Sequence, residues 1–338
     1  MQIDLNIDVA PLTTFHISQS AAALAEFNNV AELQQLLASA ALPRPLKPVG
    51  EGSNLLFTEP FPGTLLRSLD CSINFVVDKG GHISVEAGAG LSMDTLIEEC
   101  CRRGLWGLEN LSGIPGTVGA SVVQNVGAYG VEAADVVRDA LVVDTATGEI
   151  LTLTADEMQF GYRHSMFKLT DNRNRYIVLR VTYALTSTPS PRLSYRALAD
   201  RFGGCDNLTP FDLRDAVIEM RESKLPSPCF IGSAGSFFKN PVIDIAVASE
   251  LKAGYPDMPL YPTADGSQAK LSAAWLIDHA GLKGAAEGGA AVWHKQPLVI
   301  VNATGQATAA DVVALEKRII ATVAQKFGVT LSPEVEHL

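Results

Sequence analysis

The sequence lacks the features by which disulfide frameworks, metal sites and Rossmann folds are usually recognised. Its five cysteines are odd in number and show no CxxC spacing, and its six histidines include no HxH or HxxxH pair. These patterns argue against a disulfide framework and a zinc site. No GxGxxG precedes a predicted helix, which argues against a Rossmann dinucleotide site. We expect reduced cysteines that mostly serve in packing, no bound metal, and ordinary polar roles for His164, His279 and His294.

Positive charge and long apolar runs are also scarce. The 338 residues carry a net charge of -11 with a pI near 5.0, and 19% of them are charged. Nucleic-acid and membrane-surface proteins need a basic patch, and a membrane span needs roughly 18 uninterrupted apolar residues. The N-terminus, MQIDLNIDVAPL, lacks the basic region and apolar core of a signal peptide. The sequence predicts a cytoplasmic protein of two or three domain-sized units, without nucleic-acid or membrane partners.

Apolar periodicity and helix-end signals predict alternating short strands and helices, the pattern of an α+β fold. The predicted helices cover residues 30–38, 92–101, 213–223, 271–280 and 308–327. The predicted strands cover residues 46–49, 64–68, 83–87 and 298–302, with a hairpin at 140–153. The last helix has the clearest ends, because Thr308 and Asp311 form a capping box and Gly328 follows its final turn.

Two glycine-rich segments stand out, and the second has the composition of a ligand-binding loop. Residues 50–57 read GEGSNLLF, and residues 107–130 contain six glycines with little charge, in a pattern too irregular to predict a helix. Backbone amides left free at glycine turns bind phosphates without lysine. The diphosphate of a nucleotide cofactor is therefore a candidate ligand, and a buried glycine-rich crossover is an equally good interpretation of the second segment.

Two further segments carry side chains suited to chemistry. Residues 231–242, IGSAGSFFKNPV, place Ser236 among glycines, and its hydroxyl can both donate and accept a proton. On this segment alone, a structural loop closed by Pro241 is the simpler interpretation. In FGYRHSMFK, Arg163 could capture a carboxylate or phosphate through its planar guanidinium, although an ordinary surface role fits the pattern too.

Five blocks occur together, in order, over nearly the whole chain. They are GEGSNLLF, IPGTVGASVVQNVGAYG, YRHSMFK, GSFFKNP and the terminal SPEVE. Together they resemble the UDP-N-acetylenolpyruvoylglucosamine reductase family, in its long form with an extra tyrosine loop. The resemblance implies NADPH-dependent reduction of UDP-N-acetylglucosamine enolpyruvate to UDP-N-acetylmuramate through noncovalent FAD, a step of peptidoglycan precursor synthesis, by a monomer.

The same resemblance implies a fold and a domain arrangement. The fold is an FAD-binding fold of the PCMH, or vanillyl-alcohol oxidase, type with two subdomains, joined to an α+β substrate-binding domain. The FAD-binding subdomains would cover residues 1–68 and 69–225, and the substrate-binding domain residues 226–327. Residues 328–338 would return to the active site.

The resemblance also implies roles for individual residues. Hydride would reach C3 of the enolpyruvyl group, Ser236 would protonate C2, and Arg163 and Glu334 would stabilise the enolate-like carboxylate. The FAD would be held by Gly50, Glu51, Gly52, Ser53, Asn54, Ser112, Gly113, Ile114, Pro115, Gly116, Gly119, Ala120, Asn125 and Gly127, mainly through backbone amides. The substrate would meet Tyr129, Arg221, Lys224, Asn240, Gln296 and Tyr195, the last matching the tyrosine of the long form that closes over the diphosphate.

The chain departs from the family pattern at two places. Thr13, in TTFHI, stands where many relatives have asparagine, which leaves the role of that block open. The chain ends at Leu338, four residues after Glu334, and we expect so short a tail to fray.

Two alternative functions remain to be distinguished. One is an FAD-dependent oxidase of the same fold acting on an alcohol or sugar. Such oxidases often tether FAD through a histidine, and neither glycine-rich segment contains one. The other is a nonenzymatic flavin- or nucleotide-binding protein, in which the serine loop would only bind.

Overall fold

The computed structural model describes residues 2–77 and 83–338, and the chain divides into two units. The first unit comprises Met1–Ile7, Ala21–Glu51 and Phe61–Ser223, and the second comprises Asp8–Ser20, Gly52–Pro60 and Lys224–Leu338. Each unit contains both helices and β-sheets, as expected for an α+β chain. Within the described part of the chain, no helix combines the length and apolar character needed to cross a membrane.

The elements alternate along the chain, and strands are short. The strands are β1 (Gln2–Asp8), β2 (Ser20–Phe27), β3 (Leu46–Val49), β4 (Leu55–Leu56), β5 (Phe61–Ser68), β6 (Ile73–Val77), β7 (Ile83–Gly88), β8 (Gly127–Ala128), β9 (Val131–Glu132), β10 (Val137–Asp144), β11 (Ile150–Thr154), β12 (Tyr176–Leu185), β13 (Ser233–Ser236), β14 (Val242–Asp244), β15 (Leu260–Pro262), β16 (Gln268–Leu271), β17 (Ala286–Glu287), β18 (Ala290–Val292), β19 (Val299–Asn302) and β20 (Glu336–His337). The helices are α1 (Val30–Ala38), α2 (Met93–Arg102), α3 (Val118–Gln124), α4 (Arg196–Phe202), α5 (Pro210–Lys224), α6 (Ile245–Gly254), α7 (Ala273–His279) and α8 (Ala309–Phe327). Short 3-10 turns lie at Ala10–Leu12, Glu109–Leu111, Ala133–Asp135, Met166–Lys168 and Thr170–Asn172.

The first unit is built on two sheets, in the orders β1-β2-β5-β3 and β11-β10-β12-β7-β6. In the first sheet β2, β3 and β5 run parallel, and α1 buries Leu33 and Leu36 with the apolar side chains of β2. In the second sheet every described strand pair is antiparallel, and α2 and α3 contribute apolar side chains to its core. The helices α2 and α3 therefore lie against this sheet, and the second glycine-rich segment follows α2 and contains α3.

The second unit contains the sheets β13-β19-β18-β17 and β14-β16-β15, together with the two-stranded pair β20-β4. The strand β19 is buried along its whole length, as its apolar sequence predicts. The helix α8 buries an apolar stripe in the core of this unit, at Val312, Leu315, Ile319, Val323 and Phe327. Because β13 pairs with β19, the segment that contains Ser236 is attached to a fully buried strand.

Several predicted elements match the structure closely. The helix at 30–38 and the strand at 46–49 are confirmed as α1 and β3. The hairpin at 140–153 is confirmed as β10 and β11. The capping box of Thr308 and Asp311 is present at α8, which ends at a left-handed Gly328. These elements have strong local signals that agree with the tertiary packing.

Three expectations were wrong. The segment 107–130 contains a helix, α3, whose start is capped by Thr117 and whose end is a left-handed Asn125. The helix predicted at 271–280 begins later, at Ala273, because Leu271 is the last residue of β16. Cysteines were expected mostly in packing roles, but only Cys100 and Cys101 are buried, and the other three are exposed: Cys71, Cys205 and Cys229.

Candidate active site

The two glycine-rich segments meet within the first unit. A Cβ atom on Gly50 would lie 2.5 Å from the hydroxyl oxygen of Thr117, so only glycine allows this approach without a shift. The Glu51 carboxylate accepts a hydrogen bond from the Gly116 amide at 2.8 Å. The Thr117 hydroxyl in turn accepts from the Ala120 amide and caps α3. The end of β3 and the start of α3 are thereby fixed against each other.

Most backbone amides of the second segment already donate to protein groups. The Gly113 amide donates to Asp94 at 2.6 Å and the Gly119 amide donates to the carbonyl of Ala89 at 3.0 Å. The amides of Gly116 and Ala120 are engaged as described above. This differs from the expectation that these amides are left free for a phosphate. The glycines here permit close packing of protein on protein, as at Gly119, where a Cβ atom would lie 2.9 Å from that of Ala89.

The first segment has a different hydrogen-bond inventory. Within residues 2–77 and 83–338, the amides of residues 50–54 donate no hydrogen bond to a protein group. Gly50 and Glu51 belong to the first unit, and the next three residues belong to the second. Gly52 has a φ of +60°, and its Cβ would lie 2.3 Å from the carbonyl oxygen of Leu12. The turn therefore requires glycine and presents amide donors.

Ser236 lies at the end of β13, on the surface of the second unit. It is exposed, whereas the next two side chains, Phe237 and Phe238, are 0% and 1% exposed. Gly235, with a φ of +70°, turns the backbone just before it. The two buried rings anchor the segment and leave the hydroxyl facing outward.

The structure brings Glu334 to the same place. Its amide donates to the carbonyl of Phe237 at 2.8 Å, one residue after Ser236. The side-chain amide of Asn54 donates to the Glu334 carbonyl at 3.1 Å. Ser236, Glu334 and part of the first glycine-rich segment thus share one region of the second unit.

The tail beyond Glu334 is held firmly, so the expectation that it frays was wrong. The strand β20 pairs with β4 in parallel, with Glu336 opposite Leu55. The Leu338 amide donates to Leu56 at 2.9 Å, and the Thr58 amide donates to the Leu338 carbonyl at 2.7 Å. Length alone did not decide the order of this tail, because its backbone groups find partners in β4.

The TTFHI block supports the serine segment, a role that the sequence left open. Thr14 and Ser233 exchange two hydrogen bonds: the Thr14 hydroxyl donates to the Ser233 carbonyl at 2.7 Å, and the Ser233 amide donates to the Thr14 carbonyl at 2.9 Å. A Cβ on Gly232 would lie 2.1 Å from the carbonyl oxygen of Phe15, which is itself buried. Gly232 therefore serves close packing of two backbones.

Arg163 belongs to the first unit and is held through its backbone and its side chain. It has a left-handed φ of +52°, and its guanidinium donates to the carbonyl of Gly127 at 2.5 Å. The Lys168 ammonium donates to the Arg163 carbonyl at 3.3 Å and to Gln124 at 2.6 Å. A Cβ on Gly127 would lie 2.9 Å from a guanidinium nitrogen of Arg163, so glycine makes room for the arginine.

Asn125 is central to the side-chain hydrogen bonds that hold the segment around Arg163, which we call the Arg163 clamp. Its buried side chain donates to the Gly161 carbonyl and to the Glu132 carboxylate, both at 2.9 Å, and accepts from the Ala134 amide at 3.0 Å. The Ser165 hydroxyl adds a bond to Val123 at 2.7 Å. In a structure, a buried asparagine with a left-handed backbone marks such a clamp. Neither its burial nor its φ can be read from the sequence.

Three predicted substrate residues form a cluster in the first unit. The rings of Tyr129 and Tyr195 meet edge to face at 5.0 Å, and the Arg221 guanidinium donates to the Gly113 carbonyl at 3.0 Å. Burial raises the pKa of Tyr129, and the nearby positive charge of Arg221 opposes that shift. Burial also lowers the pKa of Arg221, since it removes water from the guanidinium. A desolvated guanidinium near Tyr129 suits an anionic ligand.

An ion pair that sequence analysis missed supports this cluster. Arg214 donates to both carboxylate oxygens of Asp94, at 2.5 and 2.8 Å, and the same carboxylate accepts from Gly113. Burial disfavours the charged carboxylate, but the bonds from Arg214 and Gly113 outweigh burial and hold the pKa of Asp94 below its ordinary value. The charged pair fixes the turn that also contacts Arg221.

The remaining predicted substrate residues lie in the second unit. Lys224 is exposed, and its carbonyl accepts from the indole of Trp293 at 3.0 Å. Gln296 is half-buried in the turn before β19, where its side chain accepts from Leu298 at 3.4 Å. Asn240 lies between β13 and β14, and its side-chain oxygen accepts a hydrogen bond from the Ala273 amide at the start of α7, at 3.0 Å.

No group of three or more metal-ligating side chains occurs within the described ranges. Burial raises the pKa of Cys100 and of Cys101 to about 12, which keeps both thiols neutral and unreactive.

Comparison with known proteins gives a consistent result along the whole chain. Residues 227–338 match the family described as UDP-N-acetylenolpyruvoylglucosamine reductase, C-terminal domain, and residues 21–154 match the family described as FAD binding domain. Relatives named UDP-N-acetylenolpyruvoylglucosamine reductase from Chromobacterium violaceum and Pseudomonas fluorescens are each 40% identical, covering 99% of this chain and 98% of each relative.

A solved structure agrees. The crystal structure of UDP-N-acetylenolpyruvylglucosamine reductase from Thermus caldophilus has 27% sequence identity and a TM-score of 0.70, covering 100% of this chain and 99% of that one. The expected fold, an FAD-binding part of the PCMH type with an α+β substrate-binding domain, is confirmed. The chain belongs to the UDP-N-acetylenolpyruvoylglucosamine reductase family.

Proposed function

We propose that the protein reduces UDP-N-acetylglucosamine enolpyruvate to UDP-N-acetylmuramate with NADPH and noncovalent FAD, as a step of peptidoglycan precursor synthesis. Relatives of that name match 99% of the chain at 40% identity. The comparisons favour neither an oxidase of the same fold nor a nonenzymatic flavin- or nucleotide-binding protein. The observation that carries the proposal is the bond between Glu334 and Phe237, which sets two predicted catalytic residues side by side.

The residues present fit an FAD-binding role. FAD, when bound, passes the hydride of NADPH to the substrate. The amides of residues 50–54 supply donors for an anionic diphosphate, and glycine is required in that turn at Gly52. The second segment, at Ser112, Gly113, Ile114, Pro115, Gly116, Gly119 and Ala120, would supply a closely packed wall. Gly127 would act next to Arg163, since its carbonyl accepts a hydrogen bond from the guanidinium. Asn125 would act indirectly, through its hydrogen bond to the backbone carbonyl of Gly161.

Ser236 is the proton donor in this proposal. The enolpyruvyl double bond gains a hydride at C3 and a proton at C2, while NADPH is oxidised to NADP⁺. Negative charge builds at C2 and on the adjoining carboxylate, and the Ser236 hydroxyl protonates C2. A serine hydroxyl is a weak acid, but the carbanionic centre is a strong enough base to take its proton. The exposed hydroxyl and the buried rings after it meet the need for a fixed, accessible donor.

Arg163 and Glu334 stabilise the charge on the substrate carboxylate. A guanidinium held by the Gly127 carbonyl and by a strained backbone loses little freedom when it binds an anion. Glu334 would take part through a hydrogen bond from its carboxyl group to the substrate carboxylate. The Glu334 backbone is held by hydrogen bonds to the Phe237 carbonyl and from the Asn54 side chain, so its side chain is attached at a fixed position.

The finer assignments follow from the same proposal. Tyr195, in contact with Tyr129, would be the tyrosine of the long form that closes over the diphosphate, with Arg221 supplying charge. Lys224, Asn240 and Gln296 would meet the nucleotide. Residues 1–68 and 69–225, with 328–338, would form the FAD-binding subdomains, and 226–327 the substrate-binding domain. We propose a cytoplasmic monomer.

Steady-state NADPH oxidation tests the proposal. Purified protein loaded with FAD should be yellow and should consume NADPH only when the enolpyruvyl nucleotide is present, with one product formed per NADPH. UDP-N-acetylglucosamine, which lacks the enolpyruvyl ether, is the matched control and should give no consumption. A folded, FAD-loaded protein that leaves NADPH untouched would contradict the reductase assignment, and a folded protein unable to take up FAD would contradict every flavin interpretation.

A further inference from the structure

An ion pair lies at the end of the segment that carries Glu334. His337 Nε2 lies 2.8 Å from Glu316 Oε2, and the two side chains are 28% and 12% exposed. His337 belongs to β20, and Glu316 is on α8. A pair shielded to this extent is screened less by salt than a surface pair. It joins the tail to the most regular helix of the second unit.

The ring of His337 also reaches the serine segment. It meets the ring of Phe237 edge to face, with centroids 6.0 Å apart and planes at 81°. Phe237 directly follows Ser236, and its carbonyl accepts the hydrogen bond from the Glu334 amide. One side chain therefore contacts the residue that links the proposed proton donor to the proposed carboxylate partner.

The charge on His337 depends mainly on the Glu316 carboxylate, with a smaller contribution from the backbone of Val335. Its pKa is raised mainly by the hydrogen bond to Glu316, against the opposing effect of burial. The strand β4 pairs His337 with Leu56, and the segment after β13 presents Phe237, neither of which titrates. Glu316, from α8, is the titratable group that faces the ring among the residues described.

We propose that His337 is a positioning residue: its ion pair with Glu316 and its contact with Phe237 hold Glu334 and Ser236 in their working arrangement. This role rests on the proposed function. It needs the charged imidazolium, because a neutral ring has no ion pair with Glu316. The support is complete below the ordinary histidine pKa of about 6.5 and is lost as the pH rises through the higher pKa of the folded state.

Three substitutions separate the ion pair, the ring contact and the titration of His337. His337→Phe keeps a ring against Phe237 but removes the ion pair, Glu316→Gln removes the charge of the partner, and His337→Gln keeps a hydrogen-bond donor without titration. His279→Gln is the matched control, since His279 pairs with Asp257 in the same unit at 3.3 Å and contacts neither Phe237 nor the tail.

The primary readout is the rate at which the reduced, FAD-loaded enzyme is reoxidised by the enolpyruvyl nucleotide between about pH 5.5 and pH 9. The wild type and His279→Gln should lose rate as the pH rises through the pKa of His337. Since a misplacement of about 1 Å can cost about 10²-fold, we expect a loss of roughly tenfold for His337→Phe and Glu316→Gln at low pH. His337→Gln should retain more rate than His337→Phe and should show no such decline.

Hydrogen exchange on the wild type gives a second readout that needs neither substrate nor a variant. The protection of the Leu338 amide, which donates to Leu56, should fall over the same pH range. Folded His337→Phe with the rate and pH profile of the wild type would overturn the positioning role. If that variant does not fold, an unchanged profile in His337→Gln, or constant protection of Leu338 in the wild type, overturns it equally. A wild type that never reacts with the enolpyruvyl nucleotide contradicts the proposed function instead.

Discussion

Ser236 and Arg163 are fixed in their units by different means. Around Ser236 most of the bonds run between backbone groups: β13 pairs with β19, the Ser233 amide donates to the Thr14 carbonyl, and the Glu334 amide donates to the Phe237 carbonyl. Around Arg163 one backbone bridge, between Gly161 and His164, is supplemented by bonds from side chains, above all from Asn125 and Lys168. Both arrangements present a polar group from a segment without regular periodicity.

The difference determines what a mutation can do. Where hydrogen bonds between backbone groups hold a segment, an exposed side chain of that segment can be changed without loss of those bonds. Where side chains hold it, removing one of them leaves buried donors and acceptors unpaired, which costs stability as well as function. Mutations at Ser236 should therefore change the reaction rate without changing stability, whereas mutations around Arg163 should change both.

The largest effect should follow Ser236→Ala. Loss of a general acid typically costs about 10²- to 10⁴-fold, so reoxidation by the substrate should slow by that amount. Reduction by NADPH and the unfolding midpoint should stay near wild type, because no backbone bond of the segment depends on the hydroxyl. Stopped-flow absorbance of the two half-reactions measures this. Ser236→Cys, which restores a proton donor, should recover part of the rate, and equal slowing of both half-reactions would rule out a specific proton donor.

Asn125→Ala should sharpen the comparison from the other side. It removes three hydrogen bonds from a buried site and places alanine at a φ of +45°, so we expect a loss of about 2 to 4 kcal/mol. The free energy of unfolding in urea measures it. The control is Asn174→Ala, at a φ of +62°, which should lose only about 1 kcal/mol. Equal losses would show that the clamp adds nothing to the backbone preference.

Gly50→Ala tests the contact between the glycine-rich segments. The added Cβ would displace the Thr117 hydroxyl that caps α3, and a lost cap costs about 1 to 2 kcal/mol. Gly254→Ala, at the end of α6 with open space around it, is the control and should be neutral or slightly stabilising. Thermal unfolding of both variants decides. Matching melting temperatures would mean that Thr117 moves aside without cost.

The smallest effect concerns Glu109. Its carboxylate side chain is buried, and its backbone carbonyl accepts a hydrogen bond from the Ser112 hydroxyl. Burial raises its pKa, so the folded protein binds more protons than the unfolded chain, and stability falls as the pH rises from about 4.5. Glu109→Gln removes this cost. It should be more stable than the wild type at pH 8 and equally stable at pH 4, measured by urea unfolding. A gain independent of pH would contradict the shift.

The sequence predicted the elements whose local and tertiary signals agree. The helix α8 has an apolar stripe, a capping box and a glycine stop, and β19 is an apolar run. The helix α3 was missed because glycine, serine and the β-branched valines have low helix propensity, and its start depends on a cap that packs on Gly50. Hydrophobic patterning carries no information on such a contact between distant segments.

For the site, the family resemblance supplied the residues proposed for the chemistry, but no pattern in the sequence indicated what holds them. Thr14, Asn125 and His337 act through partners far away in the chain, such as Ser233, Gly161 and Glu316. The order of the tail was misjudged for the same reason, since β4 supplies the partners of β20. Long-range hydrogen bonds of this kind leave no periodic trace in the sequence.

The visible absorbance of the NADPH-reduced, FAD-loaded enzyme, recorded without oxygen before and after addition of the enolpyruvyl nucleotide, tests the central claim most directly. The account predicts that NADPH bleaches the flavin absorbance and that the nucleotide restores it, with UDP-N-acetylmuramate formed in equal amount. A flavin that stays reduced when the nucleotide is added would contradict it.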